Sequence, residues 1–185
     1  MAERIPESEL AERCRQGDKA AEKELYMTYA DRLRGLCSRY CSCPEDARDL
    51  LHDAMVKALG AIGKFRYSGP GSLFAWLKRI TINLATDRYR SAKLPVVPLD
   101  DIILGRTSSQ DTPELDTIPD QVLIDLVSRL PERRRMVLNL YCIDGYSHRE
   151  IGRMLGITER GSASIYAQAR SQMQQMIIEY KKNHG

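Results

Sequence analysis

Residues 130–158 read LPERRRMVLNLYCIDGYSHREIGRMLGIT, and the punctuation of this stretch decides the fold. Pro131 and Glu132 open a helix that continues through Arg133, Arg134 and Arg135 to about Tyr141, and Asp144-Gly145 ends it with a turn. Ser147-His148-Arg149-Glu150 is a capping box, in which the serine hydroxyl and the glutamate carboxylate reciprocally satisfy the first amides of a helix. The short helix over residues 149–155 turns Ile151, Met154 and Leu155 inward and breaks at Gly156. Thr158 caps a longer helix whose inner face reads Ile165, Tyr166, Ala169, Met173, Met176 and Ile177. Helix, glycine-containing turn and longer second helix make a helix-turn-helix. The outer face of its second helix, with Arg160, Ala163, Ser164, Ala167 and Gln168, is then placed to enter a DNA major groove. A plain hairpin of two helices is the alternative that spacing alone leaves open.

Upstream of this block lies LPVVPLDDIILGRTSSQDTPELDT, residues 94–117, with Pro95, Pro98, Pro113 and a Ser/Thr/Asp cluster. Prolines and clustered polar residues disfavour continuous helix, so the segment reads as a flexible linker between domains at 1–93 and 118–185. Charge follows the same division. Residues 1–93 hold 17 bases and 13 acids (+4), residues 94–117 hold 1 and 5 (−4), and residues 118–185 hold 10 and 7 (+3). Two mildly basic blocks therefore flank an acidic joint.

The first block is also helical. A helix from about Ser8 to Gln16 stops at Gly17, and one from about Asp18 to Cys41 carries Ala21, Leu25, Tyr29, Leu33, Leu36 and Tyr40 as its apolar stripe. Pro44 starts a third helix, to about Gly63, with Ala47, Leu51, Ala54, Ala58 and Ile62 on one face. Asp46, Asp49 and Asp53 form an acidic stripe on another face. Ser72 is placed to cap a fourth helix, SLFAWLKRITINLATDRYRSAK, in which Lys78, Arg79, Arg88, Arg90 and Lys93 are interleaved with Trp76, Asn83 and Tyr89. Cations for phosphates, aromatic rings for stacking and an amide for base edges suit nucleic-acid binding. A bland reading makes Phe74, Trp76, Leu77, Ile80 and Leu84 core and the charges solvated. The whole is expected to be all-α, two small helical domains joined by a flexible acidic linker.

The 185 residues are 43% hydrophobic and 29% charged, with no apolar run long enough to span a bilayer. The first residues, MAERIPESELAERC, mix acids and bases without the apolar core of a secretory signal, so the expected compartment is the cytoplasm. Five cysteines are an odd count, and reduced thiols are expected. Two other function classes are weighed against DNA binding. A metal or redox sensor would use Cys37, Cys41, Cys43 and His52, but no C-x-x-C pair exists, and Cys37 and Cys41 serve equally well as small buried hydrophobes. A nucleic-acid enzyme would hold a divalent cation on Asp46, Asp49 and Asp53, yet these point along a stripe instead of converging. No triad accompanies them, and the Gly69-Pro70-Gly71 loop lacks the lysine of a phosphate-cradling loop. No catalytic residue, metal or cofactor is expected.

Four stretches together, LAERCRQGDKAAEKELY, DARDLLHDAMVKAL, FAWLKRITINLATDRYR and the opening LPERRR…GIT, resemble the group IV, or extracytoplasmic-function (ECF), sigma factors of bacterial RNA polymerase. The resemblance covers both blocks in order and lacks the long region that primary sigma factors carry between them. It implies a first domain that grips core polymerase and opens the minus-ten element, and a second that reads the minus-thirty-five element. Asp49, Leu50, His52 and Asp53 would dock on the polymerase clamp helices, and the acidic linker would favour a basic polymerase channel. Trp76 and Asn83 match the minus-ten-reading segment, with Lys78, Arg79, Arg88 and Arg90 holding phosphates. Arg160, Ser162, Ser164, Gln168 and Arg170 would meet the minus-thirty-five element. One departure stands out: Ala163, Ile165 and Gln168 lie where many relatives have basic residues, and Gly161 where serine or threonine is usual. Partners implied are core polymerase, promoter DNA and an anti-sigma factor, without membrane insertion. A helix-turn-helix regulator independent of polymerase is the remaining rival.

Overall fold

The structure is a computed structural model and describes residues 5–92 and 118–184. Every regular element among them is helical: α1 (Glu7–Arg15), α2 (Lys19–Tyr40), α3 (Pro44–Ala61) with a 3-10 turn over Ile62–Lys64, α4 (Ser72–Ala92), α5 (Asp120–Ser128), α6 (Glu132–Leu138), α7 (His148–Leu155) and α8 (Glu159–His184). The linker expected over 94–117 lies outside the described residues, as does Lys93. The chain forms two compact units that divide between Ala85 and Thr86, inside α4.

In the first unit α2 supplies the central apolar row. Ala21, Leu25, Tyr29, Leu33, Leu36 and Tyr40 are all buried, as the sequence stripe predicts. Asp18 starts the helix, its carboxylate accepting from the amides of Ala20 and Ala21 at 2.9 and 3.3 Å. The Arg13 guanidinium, hydrogen-bonded to Asp18, and these amides hold that carboxyl below its ordinary pKa. Against α2 lie Leu10, Ala11 and Cys14 of α1 and Ala47, Leu50, Leu51, Ala54, Met55 and Ala58 of α3. The α3 entry is capped by Cys43, whose sulfur accepts from the Asp46 amide at 3.4 Å.

The start of α4 differs from expectation. Ser72 is the first helical residue, and its hydroxyl accepts from the Ser68 amide at 3.4 Å instead of capping the helix. Gly71, at the position before it, has no side chain to offer. The cap comes from Glu7 of α1: one carboxylate oxygen accepts from the amides of Gly71 (3.0 Å) and Leu73 (3.2 Å), and the other accepts from the Tyr29 hydroxyl (2.9 Å). A carboxylate here also faces the positive end of the helix dipole. Glu7 thus fastens α1, α2 and α4 together.

In the second unit α6 runs on into a π-helical turn over Asn139–Ile143, closed where the Asp144 amide donates to the Asn139 carbonyl at 3.0 Å. The capping box forms as read. Ser147 donates through its amide (2.8 Å) and hydroxyl (2.7 Å) to Glu150 and accepts from the Glu150 amide (3.3 Å), and these donors hold the Glu150 carboxyl below its usual range. Gly156 ends α7 in the left-handed region, at φ 69°, which glycine enters without steric cost. The Thr158 hydroxyl accepts from the Gly161 amide at 2.9 Å, and α8 follows. One helix went unread in the sequence: α5 packs Leu126, with Val122 and Leu123, beside Ile118 onto Ile177, Met173, Met176 and Tyr180 of α8.

Gly152 sets the closeness of the α7 and α8 junction. A Cβ there would stand 2.8 Å from the Ile157 carbonyl oxygen, and that backbone is pinned by its own bond from the Ile157 amide to the Gly152 carbonyl at 3.0 Å. Gly152→Ala should therefore cost about 1–3 kcal/mol, read as a lower melting midpoint of the second unit with the first unchanged. Removing the remote cap, Glu7→Ala, should cost about 0.5–2 kcal/mol and leave the second unit's transition in place, checked by thermal unfolding followed by circular dichroism.

Candidate polymerase and nucleic-acid interfaces

Most of the candidate residues lie on three helical faces. On α3, burial of Ala47, Leu50, Leu51, Ala54, Met55 and Ala58 leaves Asp46, Asp49, His52 and Asp53 exposed. Val56, one turn beyond His52 and Asp53, extends this strip as an exposed apolar side chain at 57% exposure. Sequence reasoning passed over Val56, although its spacing from Asp49 and Asp53 was a signal for it. Leu50 is not on this surface. Its side chain is fully buried, 0% exposed, because the row with Ala47, Leu51 and Ala54 is the one that packs, so it supports the strip from within.

On α4 the buried side chains are Leu73, Leu77, Thr81, Ile82, Ala85, Thr86 and Tyr89. Trp76, Arg79, Asn83 and Arg90 recur at helical spacing on the opposite side. Arg79, Asn83 and Arg90 are exposed, and Trp76 is half-buried, tilted against the Phe65 ring with centroids 5.4 Å apart. Trp76 is thus neither wholly core nor a free platform: one side packs and the rest of the ring faces outward with Asn83. Arg90 is paired with Asp87 at 2.5 Å, an ion pair exposed on both sides. Lys78 and Arg88 are half-buried and fall by helical spacing within the packed side, away from the Trp76 and Asn83 row.

In the helix-turn-helix, Arg160 and Arg170 are exposed, and Ser164 and Gln168 are half-buried. Ser162, read as a DNA contact, is in the interior at 0% exposure, sharing a 3.0 Å hydrogen bond with His148 Nδ1. It falls on the row of Ile165 and Ala169, which pack, so it anchors the turn instead of facing a groove. His148 stacks on Tyr141, with centroids 4.2 Å apart and planes 3° apart, and both rings meet Tyr166. The Cys142 thiol donates to the Tyr166 hydroxyl at 3.4 Å, and that contact with burial pushes the Tyr166 pKa up to about 12. These contacts fix α7 and α8 in one orientation.

Among the described residues no group of three His, Cys, Asp or Glu side chains could hold a metal ion, and no helix is long and apolar enough to cross a membrane. Cys37 is buried in the α2 stripe, and the Cys43 sulfur is used as a cap.

Known proteins resemble this chain in both of its units. Residues 25–94 match the family Sigma-70 region 2, and residues 120–173 match Sigma-70, region 4. The ECF RNA polymerase sigma factor SigM of Mycobacterium tuberculosis is 34% identical over 164 residues, spanning 87% of this chain and 79% of that protein. The ECF RNA polymerase sigma-E factor of Haemophilus influenzae is 29% identical over 167 residues, spanning 84% and 86%. A solved structure of CnrH in complex with the cytosolic domain of CnrY covers 92% of this chain and 96% of that one at 21% identity and a TM-score of 0.48. With both sigma-70 regions matched in order and a third of the aligned residues shared with SigM, this chain belongs to the ECF sigma factors, initiation factors and not enzymes.

Proposed function

We propose that the three exposed faces divide the work of an alternative sigma factor, which binds core RNA polymerase and directs promoter recognition and transcription initiation. The observation that carries this reading is the α4 face, where an aromatic ring, an amide and cations stand together, opposite the packed side. Unstacking a base costs a few kcal/mol, and a ring with a neighbouring amide returns comparable stacking and hydrogen bonding. Trp76 and Asn83 receive the unstacked minus-ten bases, and Arg79 and Arg90 hold the strand's phosphates, with Lys78 and Arg88 adding charge from the packed side. The α3 strip, Asp49, His52 and Asp53 with Val56, docks on the polymerase clamp helices, Leu50 holding it from beneath. The exposed face of α8, through Arg160, Ser164 and Arg170, meets the minus-thirty-five element. The domains are residues 1–93 and 118–185, with 94–117 as the connection that enters a polymerase channel. The compartment is the cytoplasm, where polymerase and promoters are. An anti-sigma factor is the expected antagonist, and covering the α3 strip would suffice for it to block polymerase docking.

Two substitutions test the assignment. Asp53→Arg should abolish core binding and transcription while leaving helicity and melting nearly unchanged, since such surface changes usually stay within about 0.5 kcal/mol; normal core binding would overturn the docking face. Asn83→Ala should keep holoenzyme bound to closed promoter but lose permanganate reactivity of unpaired thymines. Equal loss of both would make Asn83 a structural residue only.

A further inference from the structure

DNA-reading helices are held in place by cations on backbone phosphates, while base contacts carry the sequence information. α8 is poorly supplied for this. Between Arg160 and Arg170 it has no lysine or arginine at all. The cation that stands there comes from another helix: Arg134 of α6 donates to the side-chain oxygen of Gln172 at 2.7 Å and to that of Gln168 at 3.0 Å.

The chemistry of these bonds fixes what the surface presents. A guanidinium has only donors, so both glutamines must turn their oxygens toward Arg134 and their amino groups away from it. Both acceptors are neutral, so neither bond cancels the arginine's charge. The result is an open groove of about 330 Å³ lined by Arg134, Gln168, Ser171, Gln172 and Gln175, in which the cation, three carboxamides and a hydroxyl converge and no lining side chain is acidic. Arg160, Ser164, Gln168 and Gln172 follow one another at intervals of four along α8, so the groove continues the row that begins with Arg160.

We infer that this groove is a binding site for one backbone phosphate of the promoter duplex, with Arg134 standing in from α6 for the cation that α8 lacks at Gln168. The inference rests on the minus-thirty-five reading of α8. Charge-assisted bonds from guanidinium to phosphate are the strong ones, and the amino groups of Gln168 and Gln172 complete the set. Being a phosphate contact, it adds affinity equally to every sequence.

The test uses the full chain in holoenzyme and, as probe, the promoter fragment recovered by transcribing genomic DNA with wild-type holoenzyme, titrated over a range of potassium chloride. Arg134→Ala should lower the slope of log affinity against log salt by roughly 0.9, the value of one phosphate, with the preference for promoter over scrambled duplex unchanged. Adding Gln168→Arg to Arg134→Ala should restore the slope, a rescue that a merely structural role for Arg134 would not give. An unchanged slope, or one that the second substitution fails to restore, overturns the inference. If wild-type holoenzyme selects no promoter, the sigma reading itself falls and the inference with it.

Discussion

Burial of one stripe per helix is the constraint on which everything else depends, because it sets each helix's rotation and hence what its other side offers. When Leu73, Leu77, Thr81 and Ala85 pack, Trp76, Arg79, Asn83 and Arg90 must point away. When Ala47, Leu51, Ala54 and Ala58 pack, Asp49, His52 and Asp53 become a continuous exposed strip. Packing energy thereby does the positioning that a catalytic pocket would do with a ring of side chains. The same constraint decides which residues of a motif reach the surface and which only support it, as the buried Leu50 and Ser162 show.

Hydrogen bonds supply the second level of control, at the ends of the helices. Glu7 ties the entry of α4 to α1 and to Tyr29, so the orientation of the exposed α4 face is set from outside the segment that bears it. In the second unit the Ser147 and Glu150 box, the Gly152 approach and the Ser162 bond to His148 fix α7 against α8. Each is a contact whose loss alters the presentation of a surface without removing any residue from it.

The helices were legible because their signals are local: an apolar period, a capping box, a left-handed glycine at 156. The α2 stripe, the helix-turn-helix and both sequence families follow from such signals. What escaped was either short or distant. α5 has nine residues, too few for its apolar pattern to rise above the prolines before and after it. The Glu7 cap spans 64 residues to Gly71, and no local pattern announces it. Leu50 and Ser162 lie in motifs that mix buried and exposed positions, and only the helix rotation tells them apart. Arg134 looks like one base in a run of three until α8 is packed beside it.

The account holds that neither unit carries enough positive charge to select a promoter alone, each block having only a small excess, and that polymerase supplies the rest. The most direct measurement titrates labelled promoter and scrambled duplex, at near-physiological salt, with the free chain and then with the chain bound to core polymerase. The account predicts weak, strongly salt-sensitive and unselective binding by the free chain, and tight selective binding with core present. Tight selective binding by the free chain would contradict it and make this protein a polymerase-independent regulator.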